Sequence, residues 1–287
     1  MKFKLLVLAL GLAVSTAHAI PTFSFKNVPA GWDGTFSIKL AGFESFSGDP
    51  FAAGTQNFGV LKITSIQTVG FGTATIWSDG DGGGELTGVF AGITTDSSSS
   101  FAAKELRSTG GSANFYLNGV GSFFAAGGAG QGLAGYTAAG CTANQLCYNG
   151  ISNAGVGSLF LSASYVPGID SGFPLVTVAG TLATTNPLSG VASGYLSVTG
   201  GSEQARFDTN ALLGGNADLL AKNSFCTVDN GVCAKFSDAG GSVAANRWQL
   251  AIDDPVKGVA KLPEPATVAL VGVALLGFGL ARRRKST

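Results

Sequence analysis

Short runs of alternating apolar and polar residues recur from residue 22 to residue 252, and each is bounded by glycine, asparagine or serine. Thr22-Phe23-Ser24-Phe25-Lys26 and Thr35-Phe36-Ser37-Ile38-Lys39-Leu40 show the pattern most clearly. A period of two puts successive side chains on opposite faces of a strand, so each run predicts a strand covering one face of a core. Such runs predict strands at 22–28, 35–42, 58–67, 73–77, 86–93, 114–124, 157–166, 175–183, 194–198 and 247–252. Three stretches, 96–108, 208–213 and 217–222, predict short helices, none with a sustained 3.6-residue period. Many short strands separated by tight turns predict an all-β fold. The expected architecture is an antiparallel β-sandwich, jelly-roll-like, with a few short helices. The segment 121–140 is glycine- and alanine-rich and reads as a long loop.

The two ends break this pattern. At the N-terminus, Lys2 and Lys4 precede an apolar run over 5–14, and Ala17-His18-Ala19 follows. Charge, apolar stretch and small residues in that order predict a signal peptide over 1–19, cut after Ala19 with Ala17 and Ala19 as the recognition pair. At the C-terminus, 266–281 carries no charge, and Arg282, Arg283, Arg284 and Lys285 follow at once. Sixteen helical residues reach about 24 Å, short of a hydrocarbon core of roughly 30 Å. Snorkelling arginines and local thinning can bridge that gap, so a transmembrane helix over 266–281 is expected. The basic stop should stay cytoplasmic, leaving everything before it outside. The chain thus divides into a leader at 1–19, a mature β-domain at 20–261 and a C-terminal signal at 262–287.

Charge and composition restrict the chemistry of the middle. Over residues 20–261, 11 basic residues face 16 acidic ones, a net charge of −5. No basic footprint for nucleic acid is present. The only histidine is His18, in the leader. Mechanisms that need an imidazole base are therefore excluded for the mature domain. A two-carboxylate glycan-active enzyme stays open, with Glu44, Glu85, Glu105 and Glu203 as the candidate acids. A lectin-like module is a second alternative, for which Trp32, Trp77 and Trp248 could stack on sugars or equally pack a core.

Two local features carry candidate chemistry. Cys141 and Cys147 form one close pair, and Cys226 and Cys233 another. In an exported protein such pairs read as local disulfides, worth roughly 2–2.5 kcal/mol each. The string Asp79-Gly80-Asp81-Gly82-Gly83-Gly84-Glu85 places three carboxylates in a glycine-rich loop. Asp79, Asp81 and Glu85 could wrap calcium, or the string could simply turn a hairpin between two strands. No other cofactor is expected.

The tail LPEPATVALVGVALLGFGLARRRKST resembles the PEP-CTERM sorting domain. Pro263, Glu264 and Pro265 form the triplet, followed in order by the apolar span and the arginine cluster. The resemblance implies recognition and cleavage by exosortase, a membrane transpeptidase of Gram-negative bacteria, after signal peptidase has acted. It further implies display at the surface or in the extracellular matrix, with exopolysaccharide, biofilm and floc formation as the setting. The prolines restrict the backbone before the span and keep the cleavage region extended. The strings at 77–81, 85–90 and 207–210 are similar to flocculation-associated members of that group. The expectation is a non-enzymatic surface or matrix protein.

Overall fold

A computed structural model describes residues 21–70, 72–123, 148, 151, 157–185, 188–227, 248–253 and 255–261. Eleven strands occur in them: β1 (Thr35–Phe46), β2 (Gln56–Thr68), β3 (Thr75–Ser78), β4 (Gly84–Thr95), β5 (Glu105–Gly119), β6 (Ser158–Val166), β7 (Val178–Thr185), β8 (Leu188–Gly200), β9 (Leu219–Thr227), β10 (Leu250–Asp253) and β11 (Val256–Val259). All pairings are antiparallel. The expected all-β class is present, but the architecture is a barrel. β1 pairs with β2 on one side and with β10 and β11 on the other, and β10 and β11 also pair with β9. The sheet therefore closes on itself into an eight-strand barrel.

Eleven strands fill eight positions because some positions are shared. β6 pairs with the C-terminal half of β5 and β7 with its N-terminal half, and both return to β8. β10 and β11 share one position between β9 and β1 in the same way. β3 continues the line of β4 along β2. An even number of positions lets an up-and-down barrel close with every neighbour antiparallel.

An eight-strand interior has just room for side chains. Phe36, Ile38, Leu40, Leu61, Phe90, Phe115, Leu196, Leu219 and Ile252 contribute to it. Inward glycines make space for the rings. A Cβ on Gly59 would come within 2.6 Å of the Phe90 ring, and one on Gly194 within 2.8 Å of the Tyr165 ring. A second core covers the outside of β1, β2 and β4. There Phe43 stacks on Phe123 and Trp248, at ring distances of 6.3 and 6.4 Å. This outer layer explains why the end of β1 is buried on both faces.

The two barrel ends differ. The end where β1 starts is plugged by aromatic residues. From the segment before β1, Phe23 meets Phe160 at a ring distance of 4.7 Å, and Phe25 meets Trp32 at 5.9 Å and Phe207 at 6.3 Å. Residues 22–28 are thus not the expected strand. Thr22 and Lys26 donate backbone bonds to Gly82 and Ile76, while the two phenylalanines pack against the barrel core. The opposite end is crossed by the β1–β2 connection, where Phe51 packs edge-on against Phe101 of the β4–β5 connection.

The three expected helices are absent. Residues 96–104 form turns, with Ser98 N–H donating to the Asp96 carboxylate at 2.8 Å, and β5 begins at Glu105. Side-chain-to-backbone bonds of this kind compete with helix. Residues 219–227 are β9, because pairing on both flanks outweighs the helix preference of Ala-Asp-Leu-Leu-Ala-Lys. Among the described residues one α-helical turn, α1 (Gln204–Phe207), occurs instead. No helix among the described residues is long and apolar enough to cross a membrane. The expected signal and transmembrane helices lie outside those residues.

Candidate functional site

The acidic loop forms a tight turn between β3 and β4. Gly80, Gly82 and Gly83 take φ of 91°, 65° and 73°, a left-handed backbone that side chains resist. This places the three predicted calcium ligands on two lysines. Lys62, on β2, reaches Asp79 at 2.7 Å and Glu85 at 2.8 Å. Asp81 turns away to Lys26 at 2.7 Å and accepts the Ser78 N–H at 2.9 Å. These bonds hold the Asp81 carboxyl below the usual aspartate range. Burial pulls the Lys62 ammonium down, but its bonds to Asp79 and Glu85 outweigh that and raise it. Among the described residues, no three acidic, histidine or cysteine side chains form a set able to hold a metal.

Glu85 is fully buried and does a further job. Its Oε1 accepts the Phe123 N–H at 2.6 Å, and its Oε2 the Gly121 N–H at 3.2 Å. The carboxylate thereby fastens the start of the long β5–β6 connection to the barrel. Asp218, also fully buried, plays a similar part elsewhere. It accepts backbone N–H bonds from Val198, Thr209 and Asn210 at 2.7, 2.7 and 2.5 Å. The string Phe207-Asp208-Thr209-Asn210 is thus shaped by a residue the sequence analysis did not single out. No local pattern marked it, because its partners come from another strand and a turn.

The four candidate catalytic glutamates each have a partner of their own. Glu105 pairs with Arg107 at 2.9 Å and Glu203 with Arg206 at 2.7 Å. Glu85 is held as described, and Glu44 points into the barrel. The three tryptophans are core residues, 3%, 1% and 4% exposed for Trp32, Trp77 and Trp248, which leaves no ring face for a sugar.

Glu44 lines a cavity of about 60 Å³ at the barrel end beneath Phe51. Its walls are mostly apolar, with Asn57, Ser108, Tyr165 and Asn223 as the other polar residues. Asn57 Nδ2 donates to Glu44 at 3.2 Å. Burial, only partly offset by that bond, pushes the Glu44 pKa up to about 7. Burial and the nearby Glu44 charge also raise the Tyr165 hydroxyl well above its usual value. The amide oxygens of Asn57 and Asn223 are buried without a hydrogen-bond partner.

Of the expected cysteine pairs, Cys226 is described, and it is disulfide-bonded. Cys141, Cys147 and Cys233 lie outside the described residues, as do both pairings. So do Ala17, Ala19, Pro263, Glu264, Pro265, Arg282, Arg283, Arg284 and Lys285. What the fold shows is where the tail begins. β11 ends at Val259, Ala260 N–H donates to Gly34 O at 2.9 Å, and Lys261 N–H donates to Arg206 O at 2.7 Å. Leu262 follows directly.

The barrel is followed at once by a C-terminal stretch that carries a Pro-Glu-Pro triplet, an uncharged apolar run and a basic end. Residues 262–285 match the family model of the PEP-CTERM protein-sorting motif. The chain is therefore an exosortase substrate, a surface protein that is exported, membrane-anchored and then processed. No curated protein and no solved structure matches it.

Proposed function

We propose that the processed barrel is a non-enzymatic surface or matrix protein that supports exopolysaccharide-linked floc or biofilm formation in a Gram-negative bacterium. The sorting motif at 262–285 carries this reading, because it directs the barrel to the surface. The individually engaged glutamates and the lack of any mature histidine support a role without catalysis. A resident calcium ion is not part of the reading, since lysine ammoniums already occupy its expected ligands. Local disulfides Cys141–Cys147 and Cys226–Cys233 complete it. Weak contacts to a hydrated polymer become effective through the many copies displayed on one cell.

The test is gene deletion followed by restoration with two forms. One keeps the tail, and the other ends at Lys261 and is secreted freely. The tailed form should restore aggregation and the free form should not. Unchanged aggregation on deletion, or release of sugars from the matrix by the purified barrel, would overturn the proposal.

A further inference from the structure

We propose that the barrel cavity is a binding site for a small primary ammonium ion, of the size of methylammonium or ethylammonium. The proposal stands on the cavity alone and does not depend on any role in aggregation. The cavity, about 60 Å³ and partly open to solvent, is ringed by β1, β2 and β4 to β10 at the end opposite the aromatic plug, with its polar groups on β1, β2, β5, β6 and β9. That volume admits only a few heavy atoms and excludes a sugar ring.

The donor and acceptor inventory selects the ligand. Glu44 on β1 offers a carboxyl group, and Asn57 on β2 and Asn223 on β9 each offer a buried amide oxygen that lacks a donor. Asn57 is 8% exposed and Glu44 9%. Among the described residues, no lysine or arginine lines the space. A buried acceptor left unpaired is costly, so the site is short of hydrogen-bond donors. A primary ammonium supplies three donors and no acceptor. A carboxylate or phosphate would add acceptors to acceptors, and an alcohol would bring one donor with two further lone pairs. Ser108 and Tyr165 hydroxyls complete the polar lining and can turn either way. The alkyl part would lie against Leu61, Phe90 and Phe225.

The charge state follows. Binding favours the ionised carboxylate, which burial holds back until about pH 7. The other titratable group on the wall, Tyr165, stays neutral because its hydroxyl is pushed upward. All remaining lining residues are uncharged. Affinity should therefore rise about tenfold from pH 6 to pH 8, tracking the ionised fraction of Glu44.

The experiment uses the processed protein isolated from the cell surface. Melting temperature and calorimetric titration are measured with methylammonium chloride, at pH 6 and pH 8. Potassium chloride and tetramethylammonium chloride serve as ionic and donor-free controls. A saturable rise in melting temperature with methylammonium alone, stronger at pH 8, is expected. Glu44→Gln should weaken binding at least tenfold and remove its pH dependence. If that variant does not fold, Asn223→Leu removes one acceptor without touching a charge and should weaken binding about tenfold. The idea is overturned by no saturable response, which would mean that water alone fills the cavity. It is equally overturned by equal responses to tetramethylammonium, or by undiminished binding in the variant that folds.

Discussion

Glu44 and Glu85 are both buried glutamates, and their surroundings give them opposite behaviour. Glu85 has Lys62 and two backbone N–H groups around its carboxylate. Removing Glu85 leaves Lys62 with Asp79 as its remaining acidic partner and orphans the Gly121 and Phe123 N–H donors. Glu85→Ala should cost about 3 kcal/mol in denaturant unfolding, and it should also release residues 121–123 to amide exchange. Glu44 has one amide bond and no cation. Its folded pKa, about 7, lies above the ordinary value of 4.5. The folded state therefore holds its proton more tightly than the unfolded chain does. The resulting stability is fully present below about pH 4.5 and is lost as pH rises through about 7, at up to about 1.4 kcal/mol per pH unit. Urea unfolding of the apo protein between pH 4.5 and 8 should show this decline, and Glu44→Gln should flatten it. A wild-type stability independent of pH across that window would mean that the carboxyl is solvated.

Among the elements, β11 has the greatest consequence for its length. Its four residues pair with β1 on one side and β9 on the other. Without it, those halves of β1 and β9 become open edges with unpaired backbone groups. A chain ending at Lys261 should melt cooperatively at the temperature of the full protein. A chain ending at residue 254 should lose that cooperativity in circular dichroism and be cut rapidly by protease. Similar melting of the two forms would show that the barrel does not rely on this closure.

For the whole molecule, the two ends of the barrel carry different tasks. The first described residues and Lys261 both lie at the plugged end, next to the start of the sorting segment. The cavity lies at the other end. The Pro263–Pro265 triplet stands only two residues beyond Lys261, whose N–H is tied to Arg206. A folded barrel thus sits close against the place where exosortase must cut. Inserting ten glycine and serine residues after Lys261 should speed processing in a pulse–chase experiment, because it gives the protease a longer extended approach. Intact-mass analysis of the surface form should find a chain that begins at Ile20 and lacks Arg282–Lys285. A surface species that still carries the basic end would contradict sorting by cleavage.

Much of this protein is determined locally and is legible in the chain. The order of triplet, span and arginines at the C-terminal end is a linear sorting motif that needs no fold, and the order of charge, apolar run and small residues at the other end is read from the chain in the same way. The strands alternate because a half-buried sheet has period two, so β1, β2, β4 and β6 were predicted close to their observed limits. Closure was not legible. It depends on β9, which reads as helix, and on β11, which is too short to show a period, and each acquires strand geometry only from its neighbours. The carboxylates show the same division. Sequence spacing placed Asp79, Asp81 and Glu85 in one loop, but Lys62 and Lys26, 17 and 55 residues before Asp79 and Asp81, decide what they hold. Glu44 and Asn223, 179 residues apart, share a cavity only because the barrel closes. Periodicity and linear motifs are properties of neighbouring residues, whereas burial, ion pairing and donor shortage arise from groups that only tertiary structure brings together.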